Sequence, residues 1–198
     1  SPRVRSSAAS DVYKRQIYVL LRLICYSFNK QWERGYTMLI TIGHTYGSGG
    51  LEIGRRLAAR LEIPCGDAEA DEGAVRSLAG RGSCVVVGLC ADHVLSGQPG
   101  LNRIFIHCGM EQRVERLMRE RGLSPAEAAR EALRQDRERA RLYGLHTGAK
   151  WGEVGRYDLT VDSGPLGVSG TVELLSQFIA LKTMRRRSKE AAHAGTTD

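Results

Sequence analysis

Ile40-Thr41-Ile42-Gly43-His44-Thr45-Tyr46-Gly47-Ser48-Gly49-Gly50-Leu51-Glu52-Ile53-Gly54 carries an apolar, β-prone run into a glycine-rich turn and out into an amphipathic segment. Strand, glycine loop and helix in that order turn backbone N–H groups toward a bound phosphate, at the positive end of the helix. Gly47, Gly49 and Gly50 permit tight turns and close backbone approach, and Ser48 adds a hydroxyl. The full phosphate-loop signature G-x-x-x-x-G-K-[ST] is not met. With Gly49 as its second glycine, His44 stands at the first, Gly50 at the lysine and Leu51 at the hydroxyl residue. Taken alone, the loop also reads as a plain glycine-rich β–α turn.

Further blocks follow in order: Gly82-Ser83-Cys84-Val85-Val86-Val87-Gly88-Leu89-Cys90-Ala91-Asp92-His93-Val94-Leu95, Arg103-Ile104-Phe105-Ile106-His107 and Gly122-Leu123-Ser124. Then come Asp136-Arg137, Tyr143, Thr147-Gly148-x-x-Trp151-Gly152, and Tyr157-Asp158-Leu159 with Val161-Asp162-Ser163. Together with Tyr46-Gly47-Ser48-Gly49-Gly50-x-Glu52-Ile53-Gly54, they resemble the cytidylate kinase-like family, a branch of the P-loop nucleoside monophosphate kinases. The resemblance runs from Met38 to about Leu181. That family often carries glycine where other P-loop kinases carry lysine, so Gly50 fits it.

The resemblance implies a cytoplasmic enzyme that transfers a phosphoryl group from ATP, with Mg2+, to a nucleoside monophosphate, CMP or dCMP first among them. Gly47, Ser48, Gly49 and Gly50 would hold ATP. The region of about 122–150 would be a lid whose arginines close over the phosphates, with Arg137 and Arg141 as the catalytic choices; a solvated helix face is the competing reading for each. Asp67, after Ile63-Pro64, would lie near the acceptor phosphate and help organise magnesium. Asp92 follows an apolar strand, at a sheet's carboxyl edge where α/β ligands bind. A turn or helix cap is the alternative for both carboxylates. No residue set has metal-site spacing; His93 and His107 read as structural.

Three departures bear on function. Leu89 stands where the family's Val-Gly-Arg block places an arginine, and Leu51 where an arginine often follows the double glycine. Only a short segment separates Pro64 from Ser83, where the family has a longer helical insert on the monophosphate side. A catalytically impaired nucleotide-binding protein of the same fold is therefore the second reading.

With 26% charged and 42% hydrophobic residues, the 198-residue chain has room for one domain with a proper core. The net charge of +7 raises nucleic-acid binding as a third reading, but aromatics are scarce and much of the charge lies at the ends, as in Arg185-Arg186-Arg187. Cys25, Cys65, Cys84, Cys90 and Cys108 show no paired spacing, which suits a reducing compartment. Small-molecule nucleotides are the expected partners, with no membrane; the oligomeric state stays open. Ser6–Gln16 looks like translated sequencing-adaptor sequence, and Ile17–Phe28 is too short to span a bilayer. Residues 1–37 are thus expected to be a non-native or disordered extension, 38–183 the domain, and 184–198 a disordered basic tail.

The expected fold is a three-layer α/β P-loop NTPase-like arrangement with a parallel sheet. Strands are expected at Leu39–Ile42, Cys84–Val87, Arg103–His107 and Leu159–Val161, and helices at Gly50–Leu61, Ala68–Ala79, Met110–Arg121, Ser124 toward Tyr143, and Val172–Leu181. Ser124-Pro125-Ala126-Glu127 is a capping box with proline in the first turn. In Met110–Arg121, Val114, Leu117 and Met118 are expected inward and the arginines outward.

Overall fold

The computed structural model describes residues 37–69 and 71–194, with side chains to residue 190. Thr37–Asp198 is a compact unit in itself. The adaptor-like stretch, the apolar run Ile17–Phe28 and Cys25 lie outside the described residues.

In chain order the elements are β1 (Leu39–His44), α1 (Gly50–Leu61), β2 (Cys65–Asp67), α2 (Glu72–Ala79), β3 (Cys84–Val87), α3 (Ala91–Val94), β4 (Leu101–His107), α4 (Met110–Arg121), α5 (Pro125–Thr147), a 3-10 turn (Val154–Arg156), β5 (Leu159–Asp162) and α6 (Gly167–Ala194). The strands form one parallel sheet in the order β2-β3-β1-β4-β5. Every residue of β3 is buried, as an apolar run must be when helices cover both faces of a parallel sheet. Alternate residues divide between those faces. Leu39, Cys84 and Val86 pack with Val75 of α2 and Ala91 and Val94 of α3. Ile42, Val85 and Val87 face α1 at Gly54. The three layers expected from the sequence are present.

Gly54 sets how closely α1 approaches the sheet. A Cβ there would lie 2.4 Å from Val87 Cγ2 and 3.4 Å from Ile42 Cδ1. Gly54→Ala should therefore lower stability by about 1–3 kcal/mol through overpacking, despite alanine's better helix propensity. Urea unfolding checks this; a more stable variant would show that the helix can retreat freely.

Two local features differ from the sequence reading. The Cys65–Asp67 segment is a short edge strand, and the following helix begins at Glu72 instead of Ala68. Asp71 caps it, its Oδ1 accepting the Ala74 N–H at 3.0 Å, so Asp67 does not act as a cap. The last helix is longer than Val172–Leu181 and continues past residue 184 to Ala194. Its polar end carries the Arg186–Glu190 pair at the i,i+4 spacing that supports exposed helices. Residues 195–198 lie outside the described residues.

The sheet order matters for the site. β1 lies between β3 and β4, and the chain leaves β1 toward β2 on one side and reaches β4 and β5 on the other. The crevice beyond the carboxyl ends of such strands is where open α/β sheets bind ligands. Thr45, Asp67 and Gly88 all sit at that edge.

Candidate functional site

The turn between β1 and α1 depends on two glycines with left-handed backbone, Gly47 at φ 81° and Gly49 at φ 82°. Among the described residues their amides have no backbone acceptor, and the first-turn amides of α1 are unpaired by construction. Ser48 is turned the other way: it is buried, and its Oγ donates to Thr45 O at 2.7 Å. From β5's end, Ser163 Oγ donates to Ser48 O at 2.9 Å. The serine hydroxyl therefore shapes the loop from inside.

The structure explains both the missing lysine and the missing first glycine. A Cβ at position 50 would lie 2.5 Å from His44 Cβ and 2.3 Å from His44 Cγ. Because the Cβ atoms themselves collide, one of the two positions must be glycine. The signature puts the glycine first and the side chain second; this chain reverses them. His44 keeps an edge on the cleft, yet burial of its imidazole, and then the charge of Arg139, lower its pKa to about 4. It is neutral near pH 7.

Tyr46 is clamped from both sides. Its N–H donates to Asp136 Oδ1 at 2.8 Å, and its carbonyl accepts from Arg113 Nε at 2.6 Å. Arg113 and Asp136 close the ring with a 2.5 Å contact. Arg113 is only 6% exposed, so the pair is desolvated and its hydrogen bonds are what hold the charge. Arg121 and Arg139 lie 5.7 and 5.6 Å from the Tyr46 ring centroid, within cation–π range.

A cleft of about 460 Å³ opens over this loop, lined by Gly47, Gly49 and Gly50, by Asp67, and by Arg55, Arg116, Arg121 and Arg139. Arg116 bonds Glu52 at 3.0 Å and Glu120 at 3.2 Å, and its guanidinium carbon is 2.9 Å from where a Gly49 Cβ would be. A small side pocket of about 10 Å³ adjoins, with Asp67, Glu69, Leu89, Arg139 and Trp151 around it. Leu89 is 6% exposed and packs with Cys90 and Tyr143. A buried apolar side chain thus stands where the resemblance implies an acceptor-binding arginine.

Of the residues singled out in the sequence, Gly47, Gly49, Gly50 and Asp67 meet on the cleft. Ser48 lies beneath it. Asp92 does not line the cleft; it is buried and accepts the Tyr143 hydroxyl at 2.7 Å, tying the end of α5 to α3. Nor does it cap α3, whose N-cap is Cys90. Arg141 is exposed and pairs with Glu138 at 2.7 Å, and Arg137 is exposed on the same outer side. The cleft-facing arginine of that series is Arg139. The helical period marks it: Ala128, Ala132 and Tyr143 are the buried face of α5, and Arg139 is one turn before Tyr143. In α4 the expectation of outward arginines fails for Arg113, which is buried, and Met118, expected inward, is 37% exposed.

A phosphate-shaped loop at the end of the central strand of a 2-3-1-4-5 parallel sheet is the fold of the P-loop kinases. A shikimate kinase from Bacteroides thetaiotaomicron shares it at TM-score 0.51 and 12% identity, over 73% of this chain and 99% of that one. An uncharacterized protein from Eubacterium ventriosum superposes at TM-score 0.67 and 21% identity, over 73% of this chain and 98% of that one. Within this class, residues 68–165 match the cytidylate kinase-like family, which bears out the resemblance seen in the sequence. No curated protein matches the chain. Family and fold together point to kinase-like phosphoryl transfer involving nucleotides.

Proposed function

We propose that the chain transfers the terminal phosphoryl group of ATP to a nucleoside monophosphate, CMP or dCMP first, at the cleft over Gly47–Gly50. The observation that carries this reading is the pair of left-handed glycines whose unpaired amides border a cleft lined with arginines. Phosphoryl transfer asks a protein chiefly for position and positive charge, and those are what this site holds. Among the described residues no three His, Cys, Asp or Glu side chains converge on a metal position. Asp67, which lines the cleft, is the carboxylate that would hold Mg2+ and so help neutralise the phosphates. Arg137 and Arg141 would reach phosphates only if α5 moved; Asp92 acts through Tyr143 in holding that helix. Trp151 lines the side pocket, and its indole N–H has no acceptor among the described residues, as an acceptor subsite would leave it. A cytoplasmic location accords with this reading. No described helix is long and apolar enough to cross a membrane.

Incubating the full chain with ATP, Mg2+ and each monophosphate, and following ADP, tests the reading directly. Buried Leu89 and the small side pocket favour a second reading, a nucleotide-binding protein without turnover. ATP binding without ADP formation would select it. Gly49→Val should weaken ATP binding about tenfold or more, the value of one charge-assisted contact. Valine would strain the left-handed backbone and displace the Arg116 guanidinium. Unchanged ATP affinity in a folded variant would remove the loop from the mechanism.

A further inference from the structure

Without a loop lysine, another cation must meet the phosphoryl group in transit. We propose that Arg139 does so, and that Glu69 holds its free arm until a phosphate displaces the carboxylate; this rests on the donor-phosphate reading above. Among the described residues Arg139 is the arginine that lines both the cleft and the side pocket, so it stands between the donor and acceptor sides. Its guanidinium is fixed at one end, one Nη donating to His44 O at 2.9 Å, and the side chain is only 12% exposed. Its other Nη donates to Glu69 Oε1 at 2.9 Å. Glu69 is 71% exposed, and an ion pair with so solvated a carboxylate holds weakly. A phosphate carries more charge and more acceptors, and competes well for the same N–H.

The other cations of the cleft are less suited. Arg116 is shared between Glu52 and Glu120, and Arg121 stacks on Tyr46 from the solvent side of α4's last turn. Arg55 does not line the side pocket. His44 fills the space beside Gly50 from which a lysine stem would rise, and being neutral it adds no charge there. In the step itself the P–O bond to the ADP oxygen breaks and a P–O bond to the acceptor oxygen forms. Arg139 neither gains nor loses a proton; it exchanges Glu69 for phosphoryl oxygens.

Calorimetric titration of the full chain with inorganic tripolyphosphate, alongside melting temperatures, tests this. Arg139→Gln should weaken binding about tenfold or more. Glu69→Gln should tighten it several-fold with an unchanged melting temperature, because the residue is exposed. Arg139→Lys should fall between wild type and Arg139→Gln, since one ammonium cannot serve His44 O and a phosphate with the same fork. Gly50→Lys in a His44→Gly background should bind well, and adding Arg139→Gln there should change little. A purely structural Arg139 would show the same loss in both backgrounds. Wild-type affinity in Arg139→Gln, or unchanged or weaker binding in Glu69→Gln, overturns the proposal alone. Failure of the wild-type chain to bind tripolyphosphate would overturn the donor-loop reading together with it.

Discussion

Arg113→Met is expected to destabilise the chain by about 3–5 kcal/mol, the usual consequence of removing one partner from a buried ion pair. The substitution leaves Asp136 without its cation and Tyr46 O without its donor. It also loosens the loop, because that pair holds the Tyr46 backbone to α4 and α5. Arg113→Met with Asp136→Leu should recover much of the stability while leaving Tyr46 unclamped, so ATP binding should stay weak in the double variant. Urea unfolding and ATP titration separate the two effects. A loss below about 1 kcal/mol in the single variant would place the pair among ordinary surface bridges.

Acidification is expected to act through His44. Its folded pKa, about 4, lies below the ordinary value of 6.5, so the unfolded chain binds a proton first. Stability from this group is complete above pH 6.5, declines as pH falls toward 4, and changes no further below that. The interval is worth up to about 3 kcal/mol. Burial raises the Asp158 pKa, but its bonds to Arg103 and Lys182 outweigh that and lower it, so its loss begins only below its ordinary 3.8. Glu127, Glu131 and Glu138, lowered by bonds to Ser124, Arg134 and Arg141, enter only below 4.5, at the foot of this window. His44→Gln should flatten the slope between pH 6.5 and 4 in stability measured by urea. An equal slope in that variant would assign the acid response to other groups.

Four of the five strands and most helices were legible because each is long, apolar in one period, or plainly capped. Gly50–Leu61 and Met110–Arg121 agree residue for residue with the reading from periodicity. Ser124 and Glu127 form the reciprocal cap that their spacing announced. The edge strand Cys65–Asp67 was not legible: three half-exposed residues carry no alternation, and pairing with Val85–Val87 is what makes them a strand. The glycine loop was readable from composition, but the family match begins after it, at residue 68, so its geometry supports it independently. The choice of arginine was harder. Arg137, Arg139 and Arg141 are alike in sequence, and only the buried face shared with Tyr143 separates the middle one. Arg113 defies composition altogether, since its burial depends on an aspartate in the next helix and a carbonyl in the loop.

The collision between positions 44 and 50 also imposes an order on descent. A lineage passing from a loop with glycine first and lysine second to this one could not acquire His44 while the lysine remained, because their Cβ atoms would lie 2.5 Å apart. Loss of the lysine to glycine had to come first, and for that interval the loop carried neither side chain.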